Sequence, residues 1–358
     1  MIHWFSSLSI QVQAAAIGAA ASILVGIVRD FGAKWWVDRR EARKAAEDVY
    51  RRYAEPLSLA LTSLFWRLRE TFGGDGRAYY LLAQEPRNSF DDYKLRSTYY
   101  RLAAVLGWVR ALRRELSFFR LEGRRRLSAV EDAIANLEVS LADGHHVELQ
   151  RLDGLFHIWH LPRLTSGSQR LALAVDLEIC GRRFLQRASA ASPSDLSTDQ
   201  QADLCSEIAQ LMCSQAQLAP VSKDVLAETR SDVVRQIGIR QAWLYRDWQA
   251  AAGDLMIHET TVGNRRFEVI GFGDFESMIM APTEAQFRVL CRIADLFDQV
   301  DVDKKDPFDA RPAALRNLFQ ATANMVKIMS QFSPSEALID AKTSEYAGRV
   351  LQKLASDD

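Results

Sequence analysis

The hydrophobic pattern divides the chain unequally. From Ile10 to Val28 there is no charged residue, and Gln11 and Gln13 at the outer end are the only strongly polar side chains. A helix of that span is about 28 Å long, close to the thickness of a bilayer's hydrocarbon core. A buried helix of this length would show a polar stripe, and a signal peptide would need a basic start and a shorter apolar stretch. The pattern therefore predicts a short outer segment over 1–9 and a transmembrane helix over 10–28. No Lys or Arg precedes it, whereas Arg29, Lys34, Arg39, Arg40, Arg43 and Lys44 follow. The positive-inside rule then places the N-terminus outside and the rest in the cytoplasm, as for a single-pass protein of a bacterial inner membrane. Trp4, beside Phe5, and Trp35 and Trp36 suit the two interfacial belts. Ala14, Gly18, Ser22 and Gly26 recur every four residues, the small-residue spacing that lets two membrane helices touch and self-associate.

Beyond this segment the period becomes that of amphipathic helices. The stretch from Asp38 to Gly74 reads as helical, with a kink or restart at Pro56 and a stop at Gly73-Gly74. Residues 75–94 read as a loop. A helix follows, opened by Ser97 or Thr98, carrying the stripe Leu102, Val105, Leu106, Val109, Leu112 and Leu116, and ended by Gly123. Another helix ends at Gly144. The next stretch, His145 to Leu164, reads as irregular or partly extended because Gly154 and Pro162 interrupt it. Helical sequence resumes to Ala188, and Ser189–Gln201 reads as a linker or surface loop. Ser197 and Gln200 form a capping box. Two helices follow, parted near Pro220, the second reaching Met256. Gly263-Asn264 between two apolar runs predicts a β-hairpin near 257–271. Three more helices are opened by the Thr283/Gln286 box, by Pro312, and by the Ser333/Glu336 box.

The fold class expected is thus mainly α: one N-terminal transmembrane helix followed by a helical cytoplasmic domain with a small β-hairpin. The regions are 29–188, basic and juxtamembrane; 189–201, the connection; and 202–358, helical with the hairpin. The 358 residues suffice for one large or two ordinary domains after the span. Charge sharpens the division. Residues 29–126 hold 22 basic and 13 acidic side chains, and 127–358 hold 23 and 33. A basic part beside the bilayer would be drawn to anionic headgroups, making the lipid bilayer an expected partner. No nucleic-acid recognition motif accompanies it, so no nucleic-acid partner is expected. Cys180, Cys205, Cys213 and Cys291 form no CxxC pair and suit free thiols in a reducing compartment.

Candidate chemistry is sparse. His145, His146, His157 and His160 cluster in sequence, and such imidazoles are the candidates for a metal site, though none is expected. No established ligand set is completed. "HETTV" at His258–Val262 lacks the second zincin histidine, and "GFGDFE" has Glu276 where a dinucleotide fingerprint needs glycine. The acidic run from Asp301 to Asp309 lacks the glycine of a calcium loop. No cofactor is expected. The segments "YAEPLSLALTSLFWRLRE", "STYYRLAAVLGWVRALRREL" and "AAAGDLMIHE…RRFEVIGFGDFES" resemble uncharacterised bacterial proteins that pair one N-terminal membrane segment with a helical cytoplasmic domain. The resemblance covers about a third of the chain, implies a shared fold, and implies no activity. The leading expectation is a non-enzymatic protein that scaffolds, senses or regulates by binding, with a protein partner on its helical domain. The alternatives are a metal-dependent hydrolase using the His145–His160 stretch, and an oligomerising membrane effector.

Overall fold

The computed structural model describes residues 40–357 apart from 42, 43, 45, 46, 74–77, 83–86, 117–124, 143–146, 262, 305 and 333–338. The first long helix, α1, covers 47–72 and runs through Pro56 without a break. Proline has no N–H to give the carbonyl four residues back, which belongs to Arg52. Arg265, on the later hairpin, donates to that carbonyl at 3.3 Å. The orphaned acceptor is met from outside the helix, so the expected restart at Pro56 does not occur. Gly73 bends the chain where the helix was expected to stop.

A short helix, α2 (Tyr79–Leu82), precedes α3 (Ser89–Leu116). α3 starts well before the expected caps Ser97 and Thr98, which are buried within it. Its actual cap is Asn88, whose side-chain oxygen accepts from the N–H groups of Phe90 at 3.0 Å and Asp91 at 2.9 Å. α4 spans Arg125–Ala142. The stretch expected to be irregular forms α5 (Val147–Ile158). Gly154 is tolerated there for a packing reason: a Cβ at that position would lie 1.9 Å from Nε2 of Gln236. That amide instead rests on the α5 backbone and donates to the Gln150 carbonyl at 2.8 Å.

α6 (Gly167–Ala188), a 3-10 turn (Pro193–Asp195), α7 (Thr198–Ala216) and α8 (Lys223–Ile237) follow. The Ser197/Gln200 box opens α7 as its sequence implies. The helix expected to reach Met256 is two: α8 is capped at Gly238, and α9 (Arg246–Met256) begins after a non-helical passage. β1 (Ile257–Glu259) pairs antiparallel with β2 (Phe267–Val269), His258 opposite Glu268, and Gly263 between them has φ +92°. The remaining helices are α10 (Phe272–Met280), α11 (Glu284–Phe297), α12 (Arg311–Phe332) and α13 (Ala341–Asp357). The Thr283/Gln286 box opens α11. Gly123 and Gly144 lie outside the described residues, as does the Ser333/Glu336 box. α13 opens behind Asp340, whose carboxylate accepts the Thr343 N–H at 2.9 Å.

These elements build two cores. The larger joins α1–α4 to α9–α13 around fully buried Tyr53, Phe65, Tyr80, Leu102, Phe275 and Phe297. The smaller belongs to α5–α8, around Leu152, Phe156, Leu173, Leu204, Ile208 and Val233. Burying such a side chain contributes about 1.5–3 kcal/mol, and each core holds enough of them to form a packed unit. Most of the Ser189–Gln201 connection is exposed or half-buried; Pro193 and Leu196 are buried, and Leu196 packs in the smaller core. The chain enters the larger core, departs to build the smaller, and returns.

Among the described residues no helix is long and apolar enough to cross a membrane. The expected span over 10–28 lies outside those residues, with its packing row Ala14, Gly18, Ser22 and Gly26 and its anchors Trp4, Trp35 and Trp36. The assignment as a transmembrane, single-pass inner-membrane protein is therefore withdrawn. The described helices bury their apolar faces in two protein cores, and no apolar span for a bilayer is found among them.

Candidate binding site at the junction of the two cores

Of the four clustered histidines, His145 and His146 lie outside the described residues. His157 lies in the last turn of α5, and His160 follows the helix in a left-handed conformation with φ 51°. Their ring centroids are 6.4 Å apart and both side chains are exposed. Among the described residues no group of three or more His, Cys, Asp or Glu side chains is placed to hold a metal ion.

The structure draws attention elsewhere. The passage after α8 threads between the two cores. Val147, Ile239 and Ala310 are buried together there, with Trp243 and Phe308 packed on them. Arg240 donates its N–H to the Phe308 carbonyl at 2.8 Å and accepts from Ala310 at 2.8 Å. The Arg235 guanidinium stacks 4.2 Å from the Phe308 ring centre. The apolar part of this junction is small. Such a small contact between units permits relative motion.

Beside the junction lies a cleft of about 540 Å³. Leu177, Gly181 and Leu185 of α6 form one wall, Ser192, Pro193 and Ser194 the rim, and Ile237 to Gln241 the other wall. The volume is within the range of small-molecule sites. Arg151, on α5, forms the floor. Its side chain is only 9% exposed, with one terminal nitrogen 2.6 Å from Glu178 and the other 3.2 Å from the Ile239 carbonyl. Its Nε is buried without a hydrogen-bond partner. Glu178 is the one acid lining the cleft, against Arg151, Arg182 and Arg240. The Arg182 and Arg240 side chains are exposed and form no ion pair among the described residues. The Asp195 carboxylate turns back onto the Ser192 N–H at 2.9 Å, in the cap of the 3-10 turn. The cleft carries a net excess of two positive charges.

Two other polar concentrations are structural ties. Glu70 sits between Lys94, at 2.6 Å, and Arg67, at 3.1 Å, joining α1 to α3. Burial pushes its carboxyl up, but the Lys94 hydrogen bond and the charges of Arg67, Lys94 and Arg101 hold it below the ordinary range. Arg311, 2% exposed, donates to the carbonyls of Asp295, Asp298 and Gln299 at 3.0, 2.7 and 3.1 Å, closing the end of α11, and grips the Asp309 carboxylate. A smaller hollow of about 270 Å³ lies between α1, α12 and α13, where Arg69 and Arg316 lie over the rings of Tyr346 and Phe72.

Sequence reasoning did not find the cleft. Arg151, Arg182 and Arg240 are far apart in the chain and read as ordinary solvated helix positions. The only local signal is Gly181 inside a helical run. No family model matches the chain, and no curated protein or solved structure matches it.

Proposed function

We propose that this protein acts by binding, as a ligand-responsive sensor or regulator. The observation that supports the reading is the cleft's position beside the join of the two cores, walled on one side by α6 of the smaller core and on the other by the passage that leaves α8 for the larger core. A ligand held there touches the segment that links the small unit to the large one. It stabilises whichever arrangement of the two gives it the better contacts, and so shifts their population. The signal is that shift.

The test is a thermal-shift screen of small metabolites on the full chain, followed by hydrogen exchange on the stabilising compounds. Protection should appear at 177–185 and 237–241, with altered exchange at 308–310 across the junction. If every stabilising compound protects other segments, the reading is wrong.

A further inference from the structure

Taking the cleft as a binding site, as proposed above, its chemistry narrows the ligand. We infer that it holds the phosphate group of a small phosphate monoester. Three features of the cleft converge on this. Its excess of two positive charges matches a monoester dianion. The charges are all arginine, whose planar fork donates two parallel hydrogen bonds to phosphate oxygens. Arg182 lines the cleft from α6 and Arg240 from the passage after α8, with no ion pair among the described residues, and Ser192 and Ser194, whose hydroxyls bond to each other, lie on the rim.

The floor is built as a fixed positive surface. Glu178 and the Ile239 carbonyl hold the two terminal nitrogens of Arg151, so its guanidinium cannot swing away. Its charge is nine-tenths buried, and Glu178 and the Ile239 carbonyl leave its Nε unmet. A buried donor left without a partner costs about 1–3 kcal/mol. An oxyanion at the cleft floor lowers that cost through the field it supplies. The walls add the rest of the specificity. Leu177, Leu185, Pro193 and Ile237 are apolar, and the volume is larger than a phosphate alone requires. The ligand therefore carries an organic body that rests on these side chains.

The experiment is calorimetric titration of the full chain at constant ionic strength with four probes: phenyl phosphate, inorganic phosphate, succinate and phenol. Arg182→Gln and Arg240→Gln are the variants, because both side chains are exposed and neither makes an ion pair among the described residues. Phenyl phosphate should bind most tightly, inorganic phosphate more weakly, and phenol not at all. Each variant should lose about tenfold in affinity for phenyl phosphate or more, with unliganded melting unchanged. Binding should weaken as pH falls below about 6, where the monoester dianion takes up a proton and becomes a monoanion, and as salt rises. Arginine-dependent binding of succinate without phosphate would replace the phosphate assignment by a dicarboxylate. Phosphate binding that is equal in wild type and both variants would place the site elsewhere and overturn the inference. Failure of all charged probes would also overturn it. Neutral compounds that protect 177–185 in the exchange experiment would then leave the sensor reading standing, and their absence there would end that as well.

Discussion

Two glycine-to-alanine substitutions should change stability in opposite directions. In α9, Gly253 faces α3 so closely that an added Cβ would lie 2.7 Å from the Arg110 Cβ, 2.8 Å from the Leu106 carbonyl oxygen and 3.1 Å from the Arg110 Cγ. Carbon atoms rest at about 3.5–4.0 Å. Neither struck atom nearest the helix can turn aside, since one is main chain and the other is fixed to it. α9 must back away from α3, and the Arg110 grip on Asp254, at 2.7 and 3.0 Å, loosens with it. Overpacking of this kind costs about 1–3 kcal/mol, and the upper end applies here. Alanine recovers about 1 kcal/mol of helix propensity. The net expectation for Gly253→Ala is a loss of about 2 kcal/mol. Gly181, in α6, is also buried, but its added Cβ would meet only the Ile237 Cγ2 at 4.0 Å, an ordinary contact. Gly181→Ala should therefore gain about 1 kcal/mol. Urea unfolding of the full chain, followed by circular dichroism, measures both against wild type. A Gly253→Ala protein as stable as wild type, or two variants that shift in the same direction, would refute the packing argument.

Arg311→Met should cost about 3–5 kcal/mol, because it removes the guanidinium from the Asp309 carboxylate, leaving it only the main-chain N–H of residue 311, and frees three carbonyls at the end of α11; a loss below 1 kcal/mol in the same urea assay would contradict this. Glu70 has its carboxyl held below the ordinary value of 4.5, so its contribution is present above that pH and is lost as pH falls through the lower folded value. Glu70→Gln should make the acid limb of the stability profile shallower, and an unchanged limb would count against the cluster. Burial pushes the Cys205 thiol up to about 11 from its ordinary 9.0. Below pH 9 both states keep the proton; between about 9 and 11 the unfolded thiol ionises first, so stability should fall there, and less so in Cys205→Ala. Burial first, and then the Glu207 carboxylate, raise the Cys180 thiol to about 11. It should alkylate far more slowly at pH 8 than free cysteine, and a rate like that of free cysteine would refute the assignment.

What the sequence determined by itself was local. The capping boxes at Ser197 and Thr283, the hairpin about Gly263, the stop at Gly73 and the apolar stripe from Leu102 to Leu116 each depend on residues a few positions apart. Their physics is backbone hydrogen bonding and helical period, and both are written in the local order of residues. Where distant residues intervened, local reasoning failed. Pro56 stays within α1 because Arg265 supplies the missing donor partner. Gly154 stays within α5 because Gln236 occupies the space of its side chain. The helix expected to reach Met256 divides at Gly238 because the passage after it bonds to residues 308–310 instead of to itself. The cleft is the extreme case. Its three arginines come from α5, α6 and the passage after α8, and only the return of the chain past its inserted helices brings their charges to one place. Electrostatic potential is a property of distance in space, and that distance is set by tertiary packing.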